Sequence, residues 1–150
     1  HSLLHGCAKV GMDITVASPE GFDCDENIVD EARKDASVSG SKIILTRDPE
    51  EAAKNADIIY TDTWVSMGQE AEKEKRVAIF KDYQVNSELF AKAKEDAIFL
   101  HCLPAYRGSE VTSDVIDGEQ SVVFDEAENR LHVQKAIMVR LMENGLFANN

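Results

Sequence analysis

The length, composition and charge of the chain exclude several classes of protein. Its 150 residues, 43% of them hydrophobic, are enough for one domain with a core, and its formal net charge of −12 opposes binding to nucleic acid or to an anionic membrane. No apolar run approaches the roughly 20 residues that span a bilayer, and no secretory leader opens the chain. We therefore expect a soluble, cytoplasmic protein.

The first third of the chain predicts helices that alternate with short strands. A helix in "SLLHGCAKVGM" ends at Gly11 and is followed by a strand in "DITVASP". A second helix is capped by Asp25 and closes at Gly40, before the strand "KIILT". A third helix follows, with Asp48 as its cap and Pro49 at its first position.

The rest of the chain continues this alternation. Three more runs of β-branched and aromatic residues predict strands: "DIIYTD", "AIFLHCLP" and "SVVFD". Helices are predicted in "EAEKEKRVAIF" and "NSELFAKAKE", a short helical turn in "TSDVID", and a final helix over residues 127–144 with an apolar side.

Short apolar strands alternating with amphipathic helices are typical of a parallel sheet that is covered on both faces. The predicted fold class is therefore α/β, a doubly wound (Rossmann-like) parallel sheet with helices on both faces. A helix that leads into a parallel strand normally follows another strand, but only His1 and Ser2 precede the first helix here. We therefore expect that the first strand is missing from the chain and that two sheet edges are left unpaired.

Ligands of open parallel sheets bind beyond the carboxyl ends of the strands. Asp62 follows "DIIY", Cys102 follows "AIFL", and Arg130 comes shortly after "SVVF". We expect a carboxylate, a thiol and a guanidinium to meet at one edge. For each residue a structural explanation stays open: Asp62 as a helix cap, Cys102 as a small buried apolar group, and Arg130 as a surface ion-pair partner.

This set of groups suits chemistry on an amine. An alkylammonium group has a free pKa near 10.4, so it must be held, oriented and deprotonated before it acts as a nucleophile at neutral pH. Asp62 could hold the cation and Cys102 could influence its protonation or the geometry of attack. Arg130 suits an oxyanion such as a phosphate. The pattern indicates group transfer onto an amine.

Three motifs at these positions resemble ornithine carbamoyltransferases: "DTWVSMGQE" (62–70), "HCLPAYRG" (101–108) and "FDEAENRLHVQKAIM" (124–138). The resemblance covers essentially all 150 residues, as the ornithine-binding domain of that family. It implies transfer of a carbamoyl group from carbamoyl phosphate to the side-chain amine of L-ornithine, which gives L-citrulline and phosphate in arginine biosynthesis, with no metal or organic cofactor.

The same resemblance implies roles for six residues. Asp62, Ser66 and Met67 contact ornithine, and the loop around Ser66 closes over it as a lid. Cys102 lies beside the reacting amine. Leu103 turns its carbonyl towards the carbamoyl nitrogen. Arg130 stabilises the oxygens of carbamoyl phosphate.

The resemblance also implies partners. The carbamoyl-phosphate domain of the family, with its Ser-Thr-Arg-Thr phosphate site, has no counterpart in these residues, so residues 1–150 correspond to the second domain alone. We expect such a fragment to be inactive, because a single arginine cannot orient carbamoyl phosphate. The family is homotrimeric when full length, and its last helix packs on the first domain, so the apolar side of that helix is expected to be exposed here.

Two other functions stay open. One is a sister carbamoyltransferase for another amine or amino acid, although "SMG" and Cys102 favour ornithine because aspartate enzymes have proline at the cysteine position. The other is a non-catalytic module that binds an amino acid. His1 and His5 lack a third ligand, so no metal site is predicted, and three unpatterned cysteines indicate reduced thiols. His101 is more typical of a hydrogen-bonded strand-end residue than of an acid–base catalyst.

Overall fold

Helices and short parallel strands alternate along the chain in the computed structural model, which describes residues 1–65 and 70–143. The helices are α1 (Ser2–Val10), α2 (Glu26–Ser39), α3 (Pro49–Ala53), α4 (Lys73–Phe80), α5 (Ser87–Phe90), α6 (Ser113–Ile116) and α7 (Val123–Glu143). The strands are β1 (Ile14–Ala17), β2 (Ile43–Thr46), β3 (Ile58–Thr61) and β4 (Ile98–His101). The fold is α/β with parallel strands, which confirms the predicted class.

The strands form two separate parallel pairs. Strand β1 pairs with β2 from Ile14↔Ile43 onwards, and β3 pairs with β4 from Ile58↔Ile98 to Thr61↔His101. Over residues 1–65 and 70–143 no ladder of hydrogen bonds joins the two pairs. The interruption of the sheet that the sequence predicts is therefore present.

The predicted helix ends are confirmed by their hydrogen bonds. The Asp25 carboxylate accepts the backbone N–H groups of Asn27 and Ile28, and Asp48 does the same at the start of α3. Gly40 ends α2 with a φ of 85°, a left-handed conformation that a residue with a Cβ atom rarely adopts.

Each strand pair has a hydrophobic core of its own. The core beside β1 and β2 is built from α1 and α2, with Leu4, Ala8, Val29, Ala32 and Ala36 buried. The core beside β3 and β4 draws on more elements, and its buried residues are Ala53, Ile59, Val85, Phe99, Val111, Val115, Ile116 and Val123.

The strand predicted at "SVVFD" (121–125) is wrong, and the final helix begins at Val123 rather than at residue 127. Ser121 forms one isolated parallel bridge with Phe99, and the N–H of Val122 donates to the Phe99 carbonyl at 3.0 Å. The segment therefore touches the edge of β4 and then turns into α7. Burial of Val123 and the acidic residues Asp125 and Glu126 in the first turn favour the helix over the β propensity of this run.

The helix predicted over residues 86–95 is also shorter than expected, because α5 ends at Phe90. Beyond that point the backbone pairs with another loop. The Lys92 carbonyl accepts the N–H of Asn55, and the N–H of Lys94 donates to the Ala56 carbonyl. These tertiary hydrogen bonds replace those that a longer helix would make. The predicted helix at 70–80 begins as a 3-10 turn, Glu70–Glu72, before α4.

Most of α7 is exposed, as expected. From Ala127 to Arg140 every side chain is exposed, and the apolar ones are Ala127, Leu131, Val133, Ala136, Ile137, Met138 and Val139. Within the described part of the chain, no helix is both long enough and apolar enough to cross a membrane.

Candidate functional site

Asp62 and Cys102 lie side by side at the carboxyl end of the β3–β4 pair. The last pair in register is Thr61↔His101, and each of the two site residues directly follows one member of that pair. The Cys102 thiol donates a hydrogen bond to Asp62 Oδ1, with the sulfur and oxygen 3.1 Å apart. Both side chains are exposed to solvent. The parallel register therefore brings together two residues that are far apart in the sequence.

The surroundings of Cys102 keep its sulfur protonated. Burial by neighbouring groups is the largest cause that raises the pKa of the Cys102 thiol, and its hydrogen bond to the Asp62 carboxylate raises it further. A hydrogen bond from Tyr60 acts in the opposite direction. At neutral pH the residue is a thiol that donates to a carboxylate, and it is not an activated thiolate nucleophile.

Tyr60 belongs to the same cluster. Its pKa is raised, first by burial and then by its hydrogen bond with Cys102. Tyr60 precedes Asp62 by two positions on β3, so both side chains project from the same face of the strand. Tyr60 is not among the predicted site residues, although the two-residue periodicity of a strand, counted back from Asp62, indicates it.

Leu103 has an unusual backbone conformation. Its φ is 55°, in the left-handed region, and its peptide bond to Pro104 is cis. The Leu103 N–H donates to His101 Nδ1 at 2.9 Å. Among the residues that the structure describes, none donates a hydrogen bond to the Leu103 carbonyl. Within residues 1–65 and 70–143 the carbonyl has no donor, and a carbonyl oxygen can accept a hydrogen bond from a ligand.

The start of α7 is fixed to the end of β4. Glu126, in the first turn of the helix, accepts the backbone N–H of His101 through Oε2 at 2.9 Å. Arg130 lies one turn further along the same face of α7. Its side chain is exposed, and within residues 1–65 and 70–143 it makes no hydrogen bond or ion pair.

The structure therefore brings together two of the three groups predicted to meet. Asp62 and Cys102 are in contact, whereas Arg130 contacts neither of them and follows a helix start instead of a strand end. Among the structural explanations, Asp62 caps none of the helices that the structure describes, and Cys102 is exposed. Ser66 and Met67 lie outside the described residues, and their predicted contacts stay predictions.

The segment that follows Asp62 is anchored by aromatic packing. Trp64 is 8% exposed and stacks on Phe80 with ring centroids 5.9 Å apart. Phe80 also meets Phe22 edge to face at 4.7 Å. Arg76 donates to the Trp64 carbonyl and lies over the Phe22 ring. Trp64 therefore holds the chain at the start of the predicted lid.

Two cavities differ in their relation to these residues. A small one of about 110 Å³ lies next to the site and is lined by Trp64, Tyr106 and Glu110 among others. A larger, open one of about 670 Å³ lies between α5 and α6 and touches none of the predicted site residues. Neither cavity is lined by Asp62 or Cys102, so the contact between the thiol and the carboxylate, and not a cavity, locates the candidate site.

Comparison with known proteins agrees with this geometry. Residues 1–141 match the family described as aspartate/ornithine carbamoyltransferase, Asp/Orn binding domain. The chain belongs to this family. An ornithine carbamoyltransferase of Caldicellulosiruptor saccharolyticus is 64% identical over 138 residues, which are 92% of this chain and 45% of that protein. The chain spans about half the length of the curated carbamoyltransferases it matches.

Solved carbamoyltransferase structures have the same fold. The ornithine carbamoyltransferase of Pyrococcus furiosus superposes with a TM-score of 0.88 at 54% identity, over 92% of this chain and 44% of that one. An acetylornithine transcarbamylase in complex with acetylcitrulline superposes with a TM-score of 0.81 at 34% identity, over 93% and 43%. The shared fold therefore extends to relatives with different substrates.

Proposed function

We propose that this chain is the ornithine-binding part of an ornithine carbamoyltransferase. The reaction is transfer of the carbamoyl group of carbamoyl phosphate to the side-chain amine of L-ornithine, which gives L-citrulline and phosphate. The observation that carries the proposal is the contact between the Cys102 thiol and the Asp62 carboxylate, within two motifs that resemble the family. The proposal includes the cytoplasm as location and arginine biosynthesis as the metabolic role.

Asp62 binds the ammonium form of the substrate. The carboxylate is exposed and its visible partners are the Cys102 thiol and the Thr63 N–H, 2.7 Å from Oδ1. An arriving alkylammonium group finds an acceptor of opposite charge that is already held in place. Because Cys102 remains a neutral thiol, it adds no second charge beside the carboxylate.

The transfer step forms one bond and breaks another. The bound ammonium first loses one proton to solvent. The neutral amine then attacks the carbamoyl carbon, a C–N bond forms, the C–O bond to phosphate breaks, and the second proton of the amine leaves with phosphate. Arg130 pairs with the oxygens of carbamoyl phosphate, and the Leu103 carbonyl accepts a hydrogen bond from the carbamoyl nitrogen. Ser66 and Met67 contact ornithine as the lid closes over it.

The rest of the enzyme supplies the phosphate site. Relatives are about twice as long as this chain, and the proposal assigns the carbamoyl-phosphate domain to the part that this chain does not match. The exposed apolar side chains of α7 support packing against that domain. A homotrimer of the full-length enzyme completes the proposed assembly.

The test compares the 150-residue chain with the same chain joined to the first half of the C. saccharolyticus relative. We expect citrulline formation from the joined protein and none above background from the chain alone, because positioning of carbamoyl phosphate contributes about 7–11 kcal/mol in well-oriented systems. Equal turnover by both would contradict the assignment of a fragment. No turnover by a folded, joined protein with any amine would contradict the proposed reaction.

A sister specificity is the second candidate, favoured by the likeness to the acetylornithine enzyme. A substrate panel of ornithine, acetylornithine and aspartate on the joined protein separates these specificities. We expect ornithine to give the highest kcat/KM. Tight, saturable ornithine binding by the isolated chain, without turnover after joining, would instead favour a binding module.

A further inference from the structure

The most deeply buried polar pair of the described residues lies behind the candidate site. His101 is 0% exposed and Glu110 is 1% exposed. The imidazole Nε2 and Glu110 Oε1 are 3.3 Å apart. Burial of two such groups carries a large desolvation cost unless they are hydrogen-bonded. Neither side chain is exposed on the outer surface, although Glu110 lines the small cavity beside Trp64 and Tyr106, and its Oε2 has no hydrogen-bond partner among the described residues.

The hydrogen bonds determine which nitrogen of His101 carries the proton. The N–H of Leu103 donates to Nδ1, so Nδ1 must present a lone pair. The proton therefore lies on Nε2, which donates it to Glu110 Oε1. The N–H of Tyr106 donates to the same oxygen at 2.6 Å. One continuous chain of hydrogen bonds thus runs from Leu103 through the buried pair to Tyr106.

This network fixes the backbone on both sides of Cys102. On one side, the N–H of His101 is held by Glu126. On the other side, the N–H of Leu103 is held by the His101 ring. Cys102 itself is exposed, and among the described residues its side chain forms hydrogen bonds with Asp62 and Tyr60, which belong to the site. The placement of its sulfur therefore depends on its two neighbours.

Leu103 needs such support. A leucine with a φ of 55° is in a region that costs energy for a residue with a Cβ atom, and it persists only where surrounding contacts determine it. The bond from its N–H to His101 Nδ1 is the contact that holds this conformation. The same backbone conformation sets the orientation of the Leu103 carbonyl group.

We propose that His101 and Glu110 are positioning residues that hold the Cys102–Leu103 segment in its reactive geometry. This inference rests on the proposed function, because the segment matters only if Cys102 and the Leu103 carbonyl face the reacting groups. Glu110 orients the imidazole, the imidazole holds Leu103, and Leu103 in turn sets the directions of the carbonyl and of the neighbouring thiol.

Two amide substitutions of His101 test separately the hydrogen bond at Nδ1 and the hydrogen bond at Nε2. In His101→Asn the carboxamide oxygen takes a position close to that of Nδ1 and still accepts from Leu103. In His101→Gln the amide nitrogen takes a position close to that of Nε2, reaches Glu110, and leaves the Leu103 N–H without an acceptor. Glu110→Gln is the conservative control, because its Oε1 still accepts from both donors.

In the joined enzyme, we expect His101→Gln to lower kcat by about 100-fold, since a small misplacement of reacting groups costs about that much. The KM for ornithine should change by less than about threefold, because Asp62 is intact. His101→Asn should lose about tenfold less than His101→Gln, and Glu110→Gln should stay close to the wild type. Equal losses of kcat in both His101 variants, in parallel with their losses of melting temperature, would overturn the proposal.

A second measurement does not depend on turnover. In the 150-residue chain, the nitrogen-15 shifts of the His101 ring should report a bare Nδ1 and a protonated Nε2, and a protonated Nδ1 would overturn the proposal. The pH dependence of Cys102 alkylation should move to lower pH in His101→Gln and not in Glu110→Gln. If these results hold while the wild-type joined enzyme forms no citrulline, the proposed function fails and the positioning of Cys102 stands.

Discussion

The carboxyl ends of the two strand pairs differ in how their polar groups are satisfied. At the β1–β2 end, Arg47 donates to the Ser18 and Pro19 carbonyls and pairs with the Asp23 carboxylate at 2.5 Å. The Arg47 carbonyl in turn accepts from the Tyr83 hydroxyl. The charge of Arg47 is therefore neutralised by Asp23 of the same chain, at a half-exposed position.

At the β3–β4 end, no cation of the described residues forms an ion pair with Asp62. Asp62 is hydrogen-bonded to an uncharged thiol, and Arg130, the arginine of the predicted site, is exposed and forms no hydrogen bond or ion pair with either residue. A carboxylate whose partners are neutral keeps most of its attraction for an incoming cation. A strand end is therefore suited to bind a charged ligand where a charge of the protein has no counterion. Where the protein provides the counterion, as at Arg47 and Asp23, the charged residues have a structural role.

The largest expected effect tests whether the β1–β2 pair and the β3–β4 pair, each with its own core, also unfold separately. Phe99→Ala removes a side chain that is 0% exposed from the β3–β4 core and should cost about 3–5 kcal/mol. Because no ladder joins the strand pairs, hydrogen exchange should show loss of protection in β3 and β4 before β1 and β2.

Leu4→Ala, in the β1–β2 core, is the matched control and should give the opposite pattern. Uniform loss of protection in both variants would mean that the halves unfold as one unit, and the contrast between them would then be confined to their surfaces.

The next effect contrasts the two carboxylates. Asp62→Asn in the joined enzyme should lower kcat/KM for ornithine by about 10- to 150-fold, the equivalent of one hydrogen bond to a charged group. Asp23→Asn removes a carboxylate that Arg47 already neutralises and should change kcat/KM by less than about twofold. Similar losses in both variants would remove the distinction between the two strand ends.

The third effect concerns the protonation of Cys102. Alkylation requires the thiolate, and the pKa of this thiol is raised, so its rate should increase with pH to a midpoint above that of the denatured chain. Asp62→Asn removes a bond and a charge that raise the pKa, so the midpoint should move to lower pH.

Peptide mapping distinguishes Cys102 from Cys7 and Cys24, which are the other two thiols. A midpoint in Asp62→Asn that equals the wild-type one would show that burial alone sets the pKa.

The smallest expected effect concerns the carboxyl end of the β1–β2 pair, where Arg47 pairs with Asp23. Tyr83→Phe removes the hydrogen bond to the Arg47 carbonyl, 2.7 Å long, and should lower the free energy of unfolding by about 0.5–1.5 kcal/mol in urea titrations. Tyr106→Phe is the control, since Tyr106 is 51% exposed, and it should change the stability by less than about 0.5 kcal/mol. A loss in Tyr106→Phe as large as in Tyr83→Phe would contradict a specific role for this bond.

Local features of the fold were predictable because their causes lie within a few residues. Asp25 and Asp48 cap their helices through N–H groups two and three positions away, and Gly40 ends α2 for a similarly local reason. The strand predicted at 121–125 was wrong because its outcome depended on a distant element. The edge of β4 and the burial of Val123, together with the acidic residues of the first turn of α7, decided between strand and helix.

Within the site, the sequence indicated which residues to examine but not all of their partners. Asp62 and Cys102 followed from the rule that parallel strands end at one edge, and their contact confirms it. No sequence pattern indicates a partner for Arg107, yet its side chain donates two hydrogen bonds to the Asp117 carboxylate. No local sequence pattern indicated that Glu110 is buried, because an acidic residue in a loop is ordinarily solvated.

The sequence by itself determined the alternation of helices and strands, the helix caps and the identity of the residues at the strand ends, because each depends on periodicity or on neighbours along the chain. Only the tertiary structure decided the register that sets Cys102 against Asp62, the separation of the strands into two pairs, and the tautomer of His101. Those features depend on which backbone and side-chain groups remain unpaired after local structure has formed, and distant parts of the chain compete for them.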